Sequence, residues 1–203
     1  MILESIVTTA DQDNQVNLAP MGIDVSDALA IQDPIGQTMV LRPFRTSKTF
    51  SNLCHQRRAV VHVSDDVDLF ARGAIHQERD QTTLQSLVHP VGDGLWALHD
   101  CHRWFAVEIT SSNTLSTRAS FECRVLQSEV IRPFFGFNRA KHATIEAAIL
   151  ATRIQLLPRE EIECHMQRLK PLIEKTAGEH ERNAFSRLAD YIESHLAAST
   201  LRS

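Results

Sequence analysis

The spacing of apolar and polar positions divides the chain into a strand-forming front and a helical back. Residues 1–9 alternate weakly and are rich in Ile and Val, which predicts a strand, and the polar run 10–14 predicts the turn of a hairpin. Residues 15–21 put Val16, Leu18 and Pro20 on one face and Asn17, Ala19 and Met21 on the other, a period-two pattern read as stopping at Pro20 and Gly22. In that reading Asn17 points away from the core. Two further strands are expected at 26–32 and 36–42, and residues 58–64 form the clearest buried strand. His62 lies inside that strand and is read as a satisfied sheet histidine in preference to a catalytic one. Asp65 and Asp66 cap a short helix over 67–75, and residues 104–110 and 119–130 resume the strand pattern, with Phe121, Cys123 and Val125 opposite Glu122 and Arg124. Between them, residues 76–99 show little sustained period and read as a long excursion, a candidate cover for a site.

After Pro133 the period changes from two to about 3.6. Residues 140–157 are apolar on several sides, which predicts a helix held between two neighbours. Pro158 opens a second helix, with Glu160 and Glu161 in its first turn and Ile162, Met166, Leu169 and Ile173 on its stripe. Phe185, Leu188, Ile192 and Leu196 mark a third. The expected division is therefore residues 1–135 as a β domain and 136–203 as a helical subdomain packed on it.

A chain of 203 residues with 43% hydrophobic content and a formal charge of -4 suits a globular protein of one domain, or of one domain with an appendage. The acidic balance, with pI near 6.2 and no basic block, argues against nucleic acid or an anionic membrane as the main partner. No apolar run approaches the roughly 20 residues of a membrane span, and the first residues lack the basic start and cleavage site of a signal peptide, so a cytoplasmic protein is expected. Cys54, Cys101, Cys123 and Cys164 contain no Cys-x-x-Cys pair, which suggests neither a disulfide framework nor a zinc site. The densest metal-like patch is His99-Asp100-Cys101-His102; adjacent ligands on a short loop rarely converge and no second pair completes the set, so no metal is expected.

The candidate chemistry lies in residues 41–53, where a strand end runs into cations and hydroxyls. Pro43 ends the strand, and residues 46–54 predict a short helix whose first turn gathers Arg45, Thr46, Ser47, Lys48 and Thr49. A helix N-terminus carries unpaired amides and roughly half a positive charge, so this stretch reads as an anion cradle for a phosphorylated ligand. The competing reading is a basic, capped surface turn. A second cluster follows three phenylalanines: Asn138 is the expected N-cap of the long helix, and Arg139 and Lys141 stand at the end where the helix dipole disfavours cations by up to about 1 kcal/mol each. An internal carboxylate would explain them; so would the same ligand, met within one subunit or across a dimer. Phe134, Phe135 and Phe137 offer flat apolar surface, either to a ring system or to the end of the β domain.

The segments Val16-Asn17-Leu18-Ala19-Pro20-Met21-Gly22, Leu41-Arg42-Pro43-Phe44-Arg45 and Phe134-Phe135-Gly136-Phe137-Asn138-Arg139-Ala140-Lys141-His142 resemble the DUF447 family over nearly the whole chain. The resemblance implies a mainly β fold with α, the six-stranded antiparallel Greek-key split barrel that binds FMN, followed by a C-terminal helical bundle. It also implies a homodimer with FMN at the subunit interface. Arg45, Thr46, Ser47, Lys48 and Thr49 would then hold the phosphate, and Asn17, Ala19, Pro20 and Met21 would lie along the isoalloxazine. Asn138, Arg139 and Lys141 would meet the phosphate from another side, or an anionic substrate. The implied activity is that of an FMN-dependent, flavin reductase-like oxidoreductase acting on a flat or anionic small molecule; the alternative is a non-catalytic FMN module serving as carrier, sensor or complex partner. A weaker reading, haem on the same barrel, draws on the ten histidines. No protein nucleophile is required, since the flavin carries the chemistry, and His142 is the one proton donor singled out. The absence of a Gly-x-Gly-x-x-Gly sequence leaves any NAD(P)H to bind transiently over the flavin.

Overall fold

Six antiparallel strands close on themselves in the computed structural model, which describes residues 1–76, 80–116 and 119–200, excepting the side chains of 30, 31, 199 and 200. In chain order the elements are β1 (Ile2–Ala10), β2 (Val16–Val25), α1 (Ala28–Ile31), β3 (Thr38–Leu41), α2 (Lys48–Gln56), β4 (Arg58–Val63), α3 (Val67–Ala74), α4 (Gln81–Leu87), β5 (Val88–Gly92), β6 (Leu95–Leu98), β7 (Arg103–Asn113), β8 (Ser120–Val130), α5 (Arg139–Thr152), α6 (Arg159–Thr176) and α7 (Glu179–Thr200). The barrel runs β1-β2-β3-β8-β7-β4 and returns to β1. This is the six-stranded Greek-key split barrel expected of the resemblance, with helices after it.

The β1–β2 hairpin forms where the polar run placed it. Asn14 takes a left-handed conformation (φ 60°) in the turn, as Asn tolerates, and the amide of Asp11 donates to the carbonyl of Gln15. Contrary to the sequence reading, β2 does not stop at Pro20 but continues to Val25. The reason lies in its pairing. β2 lies along β1 from end to end, yet it meets β3 only at Asp24–Val40 and Val25–Met39. Among the described residues, positions 16–23 therefore carry one edge without a strand partner, and a proline's missing N–H is tolerated at such an edge. At Gly22 a Cβ would stand 2.9 Å from Ile2 Cγ2, so a larger residue there would require the exposed Ile2 side chain to shift.

The barrel interior is filled by Val7, Ile23, Met39, Leu41, Val61, Val107, Phe121 and Cys123, each almost wholly removed from water. Burial of such side chains contributes roughly 1.5–3 kcal/mol apiece, before the entropy cost of ordering the chain. Residues 26–32 are not the expected strand: Ala28–Ile31 form one helical turn after Asp27. Ala and Leu are strong helix formers, and in so short a segment that preference prevails over the alternation.

The excursion at 76–99 is more ordered than its pattern suggested, apart from residues 77–79, which lie outside the described residues. Asp80 caps α4 by accepting from the amide of Thr83, and the turn between β5 and β6 passes through Gly94 at φ +67°. The hairpin lies on the outer face of the barrel. There Thr8 Oγ1 donates to the carbonyl of Trp96 and His62 Nε2 accepts from the amide of Leu98 at 3.0 Å, so Ile6, Val60, His62 and Trp104 are fully buried on the side away from the barrel interior.

The chain resolves into two compact units, Met1–Asp65 with Glu78–Phe134 and Asp66–Gln77 with Phe135–Ser203. The second thus takes α3, an element placed far ahead of the break in composition. Its core is Val67, Ala71, Ala140, Ala143, Ala147, Ile162, Leu188 and Ile192. The alanines of α5 let α3, α6 and α7 approach it closely, which explains why that helix is apolar on several sides. α5 ends at Thr152, earlier than the 157 expected.

Candidate functional site

α2 begins two residues later than expected. Ser47, in extended conformation, accepts the amide of Phe50 on its Oγ at 3.1 Å and donates that hydroxyl to the carbonyl of Phe44 at 2.7 Å. The amides of Lys48 and Thr49, at the first two helical positions, have no intrahelical partner by construction. α2 ends at Arg57, which adopts the left-handed conformation (φ 55°) and donates a guanidinium hydrogen to the carbonyl of Ile109 at 3.0 Å. Leu53 is fully buried in the barrel core, and Phe50 packs against Phe121 with ring centroids 5.9 Å apart.

The polar side of α2 meets β1 and β2. Asn17 Nδ2 donates to Thr49 Oγ1 at 3.0 Å and lies 3.4 Å from Thr9 Oγ1, which also accepts from Asn52 Nδ2 at 3.0 Å. Asn17 therefore does not point away from the structure, as its alternation implied. It shares its strand face with Met21, Ile23 and Val25, which turn to the barrel core, and at the strand's end that face looks onto α2. Thr9, Thr49 and Asn52 are buried, and each has a hydrogen-bond partner, as buried polar groups require. Thr9 and Asn52 were absent from the sequence reading. The signal was available: Asn52 follows Thr49 by three positions and so shares its helix face.

Of the other expected ligand contacts, Arg45 and Thr46 are exposed at the entry to α2, Ser47 is its cap and Lys48 is exposed with its Nζ 3.2 Å from Asp11 Oδ2. Among the described residues no ion-pair partner is found for Arg45. Ala19, Pro20 and Met21 are half-buried along the open edge of β2. The barrel thus brings a strand edge and a helix N-terminus to one place. That arrangement can accept an anion at the helix and a flat polar ring along the edge.

In the helical unit, Asn138 caps α5 as expected, its Oδ1 accepting from the amides of Ala140 (2.8 Å) and Lys141 (3.2 Å) while its Nδ2 donates to the carbonyl of Thr176. Arg139 is exposed and Lys141 half-buried beside it. Phe135 and Phe137 are 97% and 87% exposed, and Phe137 stacks on His142 at 6.0 Å.

Two further clusters are structural. His62 takes the Nδ1–H tautomer, set against the carbonyl of Ile6 at 2.9 Å, and burial pushes its pKa down to about 4. In the His99–His102 patch, His102 is buried with Nδ1 3.1 Å from the carbonyl of Pro133 and Nε2 3.2 Å from Asp65, so both nitrogens are engaged. Arg132 bridges Asp65 and Asp100, and those two carboxylates raise its pKa. Burial pushes the Cys101 thiol up to about 11 and that of Cys123 up to about 12. Among the described residues no group of three or more His, Cys, Asp or Glu is arranged to hold a metal ion, and no helix is long and apolar enough to cross a membrane.

Residues 3–132 match the N-terminal domain, and residues 138–190 the second part, of the family described as protein of unknown function DUF447. The chain belongs to the DUF447 family. An FMN-bound DUF447 protein from Methanosarcina mazei, MM1853, superposes on this DUF447 protein with a TM-score of 0.77 at 22% identity, over 94% of each chain. A putative flavin reductase from Haemophilus somnus gives 0.51 at 15% identity over 64% of this chain and 80% of that one. A flavoredoxin from Methanosarcina acetivorans gives 0.52 at 10% over 66% and 74%. At these identities the likeness establishes the fold. No curated protein matches the chain in sequence.

Proposed function

We propose that this DUF447 protein is an FMN-binding flavoprotein of the flavin reductase type, working as a cytoplasmic homodimer with the ligand at the subunit interface. The observation that carries the reading is the meeting of the unpaired edge of β2 with the N-terminus of α2, tied together by Asn17 and Thr49. The donor set fits the cofactor. A terminal phosphate is a dianion that favours charge-assisted donors, and the α2 end offers the amides of Lys48 and Thr49, the Thr46 hydroxyl and the cations Arg45 and Lys48. Along the strand edge, Ala19, Pro20 and Met21 supply an apolar wall, and Asn17 an amide. The FMN bound by the Methanosarcina mazei relative supports FMN as the ligand. Arg139 and Lys141 are proposed as a second anion-binding pair, for phosphate or an acidic substrate.

A bound flavin supplies hydride and one-electron transfer to a flat substrate; the protein's part is to hold, orient and shield it. Arg45 and the α2 amides fix the phosphate end, the β2 edge sets the plane of the ring, and the Thr9–Thr49–Asn52 network keeps Asn17 in place. No side chain is assigned a proton-transfer role. The test is the absorbance spectrum of freshly purified protein between about 300 and 600 nm, with identification of any yellow compound released by heat. Flavin bands and released FMN are expected. A colourless protein that also fails to bind added FMN would sink the reading. Turnover of the bound flavin by NAD(P)H and an acceptor then separates a reductase from a non-catalytic FMN module.

A further inference from the structure

The turn between β1 and β2 is strapped to both ends of α2 through a single residue. The carbonyl of Asp11 accepts from Gln56 Nε2 at 2.9 Å near the helix C-terminus, while its carboxylate reaches Lys48 at the N-terminus. The two carboxylate oxygens divide their work. Oδ1 accepts from the amides of Asp13 (3.1 Å) and Gln15 (2.8 Å) and so shapes the turn; Oδ2 lies 3.2 Å from Lys48 Nζ and, among the described residues, serves the cation alone. Lys48 is the first helical residue of α2, where the dipole disfavours a cation and favours an anion, and Asp11 Oδ2 is the anion drawn up to that cation. The Lys48 charge is therefore matched within the chain, whereas Arg45 has no such partner among the described residues.

On the reading that α2 receives the FMN phosphate, we infer that Asp11 is a built-in competitor for that phosphate. It holds Lys48, yields it when a dianion arrives, and thereby sets how strongly the site prefers a phosphorylated flavin over riboflavin. The physical chemistry gives the direction. A half-exposed lysine–carboxylate pair contributes little net stability, so a dianion supported by Arg45 and two helix amides can displace it, but the displaced carboxylate stays beside the phosphate as a like charge. Asp11 thus weakens FMN and leaves a ligand without phosphate unaffected.

Asp11→Asn separates the two oxygens' tasks, because the asparagine Oδ1 still accepts from Asp13 and Gln15 while the charge facing Lys48 is gone. Binding of FMN and of riboflavin is measured by flavin fluorescence on the purified chain and on the variant. The expected result is FMN tighter by about three- to tenfold with riboflavin unchanged, the gain shrinking at high salt and vanishing in a Lys48→Ala background. An unchanged or reduced FMN-to-riboflavin ratio overturns the inference while leaving the flavoprotein reading intact. So does a gain that survives in Lys48→Ala. The unmodified chain supplies a second measurement: the 13C titration of the Asp11 carboxyl is expected to move to higher pH when FMN binds, and a titration that does not move overturns the inference. Failure of the unmodified chain to bind either flavin removes the flavoprotein reading and this inference together.

Discussion

Asn17 Nδ2 donates to Thr49 Oγ1 at 3.0 Å, and this one contact joins the open edge of β2 to the first turn of α2. Both elements are held elsewhere by apolar packing, β2 through Ile23 and Val25 and α2 through its own Leu53, all in the barrel core. The contact fixes their relative position where a ligand would lie.

Thr49→Val keeps the shape and removes the acceptor. A hydrogen bond of this kind contributes about 0.5–1.5 kcal/mol, and an amide left without its partner costs more where it is buried. The variant is expected to lose about 1–2 kcal/mol of stability in urea unfolding and to bind FMN several-fold more weakly, while Thr49→Ser retains both. Equal FMN affinity in Thr49→Val and the unmodified chain would show that Asn17 is not positioned through Thr49.

Arg45→Ala tests the cradle itself. The side chain is exposed, so unfolding free energy is expected to stay within about 0.5 kcal/mol, while FMN weakens by roughly 1.5–3 kcal/mol, the scale of a hydrogen bond to a charged group. Riboflavin binding should not change. Unaltered FMN affinity, measured by fluorescence titration, would remove Arg45 from the site.

What the sequence revealed and what it hid follow from the range of the interactions. Continuous apolar runs such as residues 58–63 announce themselves because both their faces are buried and β-branched residues fill them. The caps Asp66 and Asn138 are equally legible, since a cap is a contact between residues two or three apart, whereas Ser47, expected inside the helix, is its cap. Pro20 misled because its effect depends on whether a neighbouring strand needs its missing N–H, and the absence of β3 beside residues 16–23 is a tertiary fact. The β5–β6 hairpin was hidden for a related reason. It lies against Ile6 and Val60, on strands far away in sequence, and is not announced by a stripe of its own. The candidate cations were visible as a cluster, but the pairing of Lys48 with Asp11 spans 37 positions and no local pattern encodes it.

Arg139→Ala probes the second cluster. Asn138 already satisfies the amides of Ala140 and Lys141, so the cap survives the change, and removing a cation from the helix N-terminus raises stability by up to about 1 kcal/mol if nothing else is lost. Weaker binding of FMN or of an acidic substrate, together with that gain, is the expected outcome. A gain in stability with every affinity unchanged would assign Arg139 no ligand. Asn138→Ala serves as the control, expected to cost about 1–2 kcal/mol through loss of the cap.

His62 makes the barrel sensitive to acid. Burial is the main cause of its low pKa, about 4; the hydrogen bond to the carbonyl of Ile6 opposes the shift and the neighbouring His89 adds to it. Protonation would place a hydrogen on Nε2, facing the amide of Leu98 that now donates to it. In the unfolded chain the same imidazole titrates near 6.5, so above about pH 6.5 it is neutral in both states and costs nothing. As pH falls from about 6.5 towards 4, the unfolded chain takes up a proton that the folded one refuses, and stability drops by up to about 3 kcal/mol. His62→Gln can still donate to Ile6 and accept from Leu98, but it does not titrate. Urea unfolding at pH 7.5, 6.5, 5.5 and 5.0 is therefore expected to show a steeper loss below about pH 6.5 in the unmodified chain than in the variant, by about 1.4 kcal/mol per pH unit at most. Parallel pH profiles would mean that His62 is protonated in the folded protein, and that the amide of Leu98 has moved away from it.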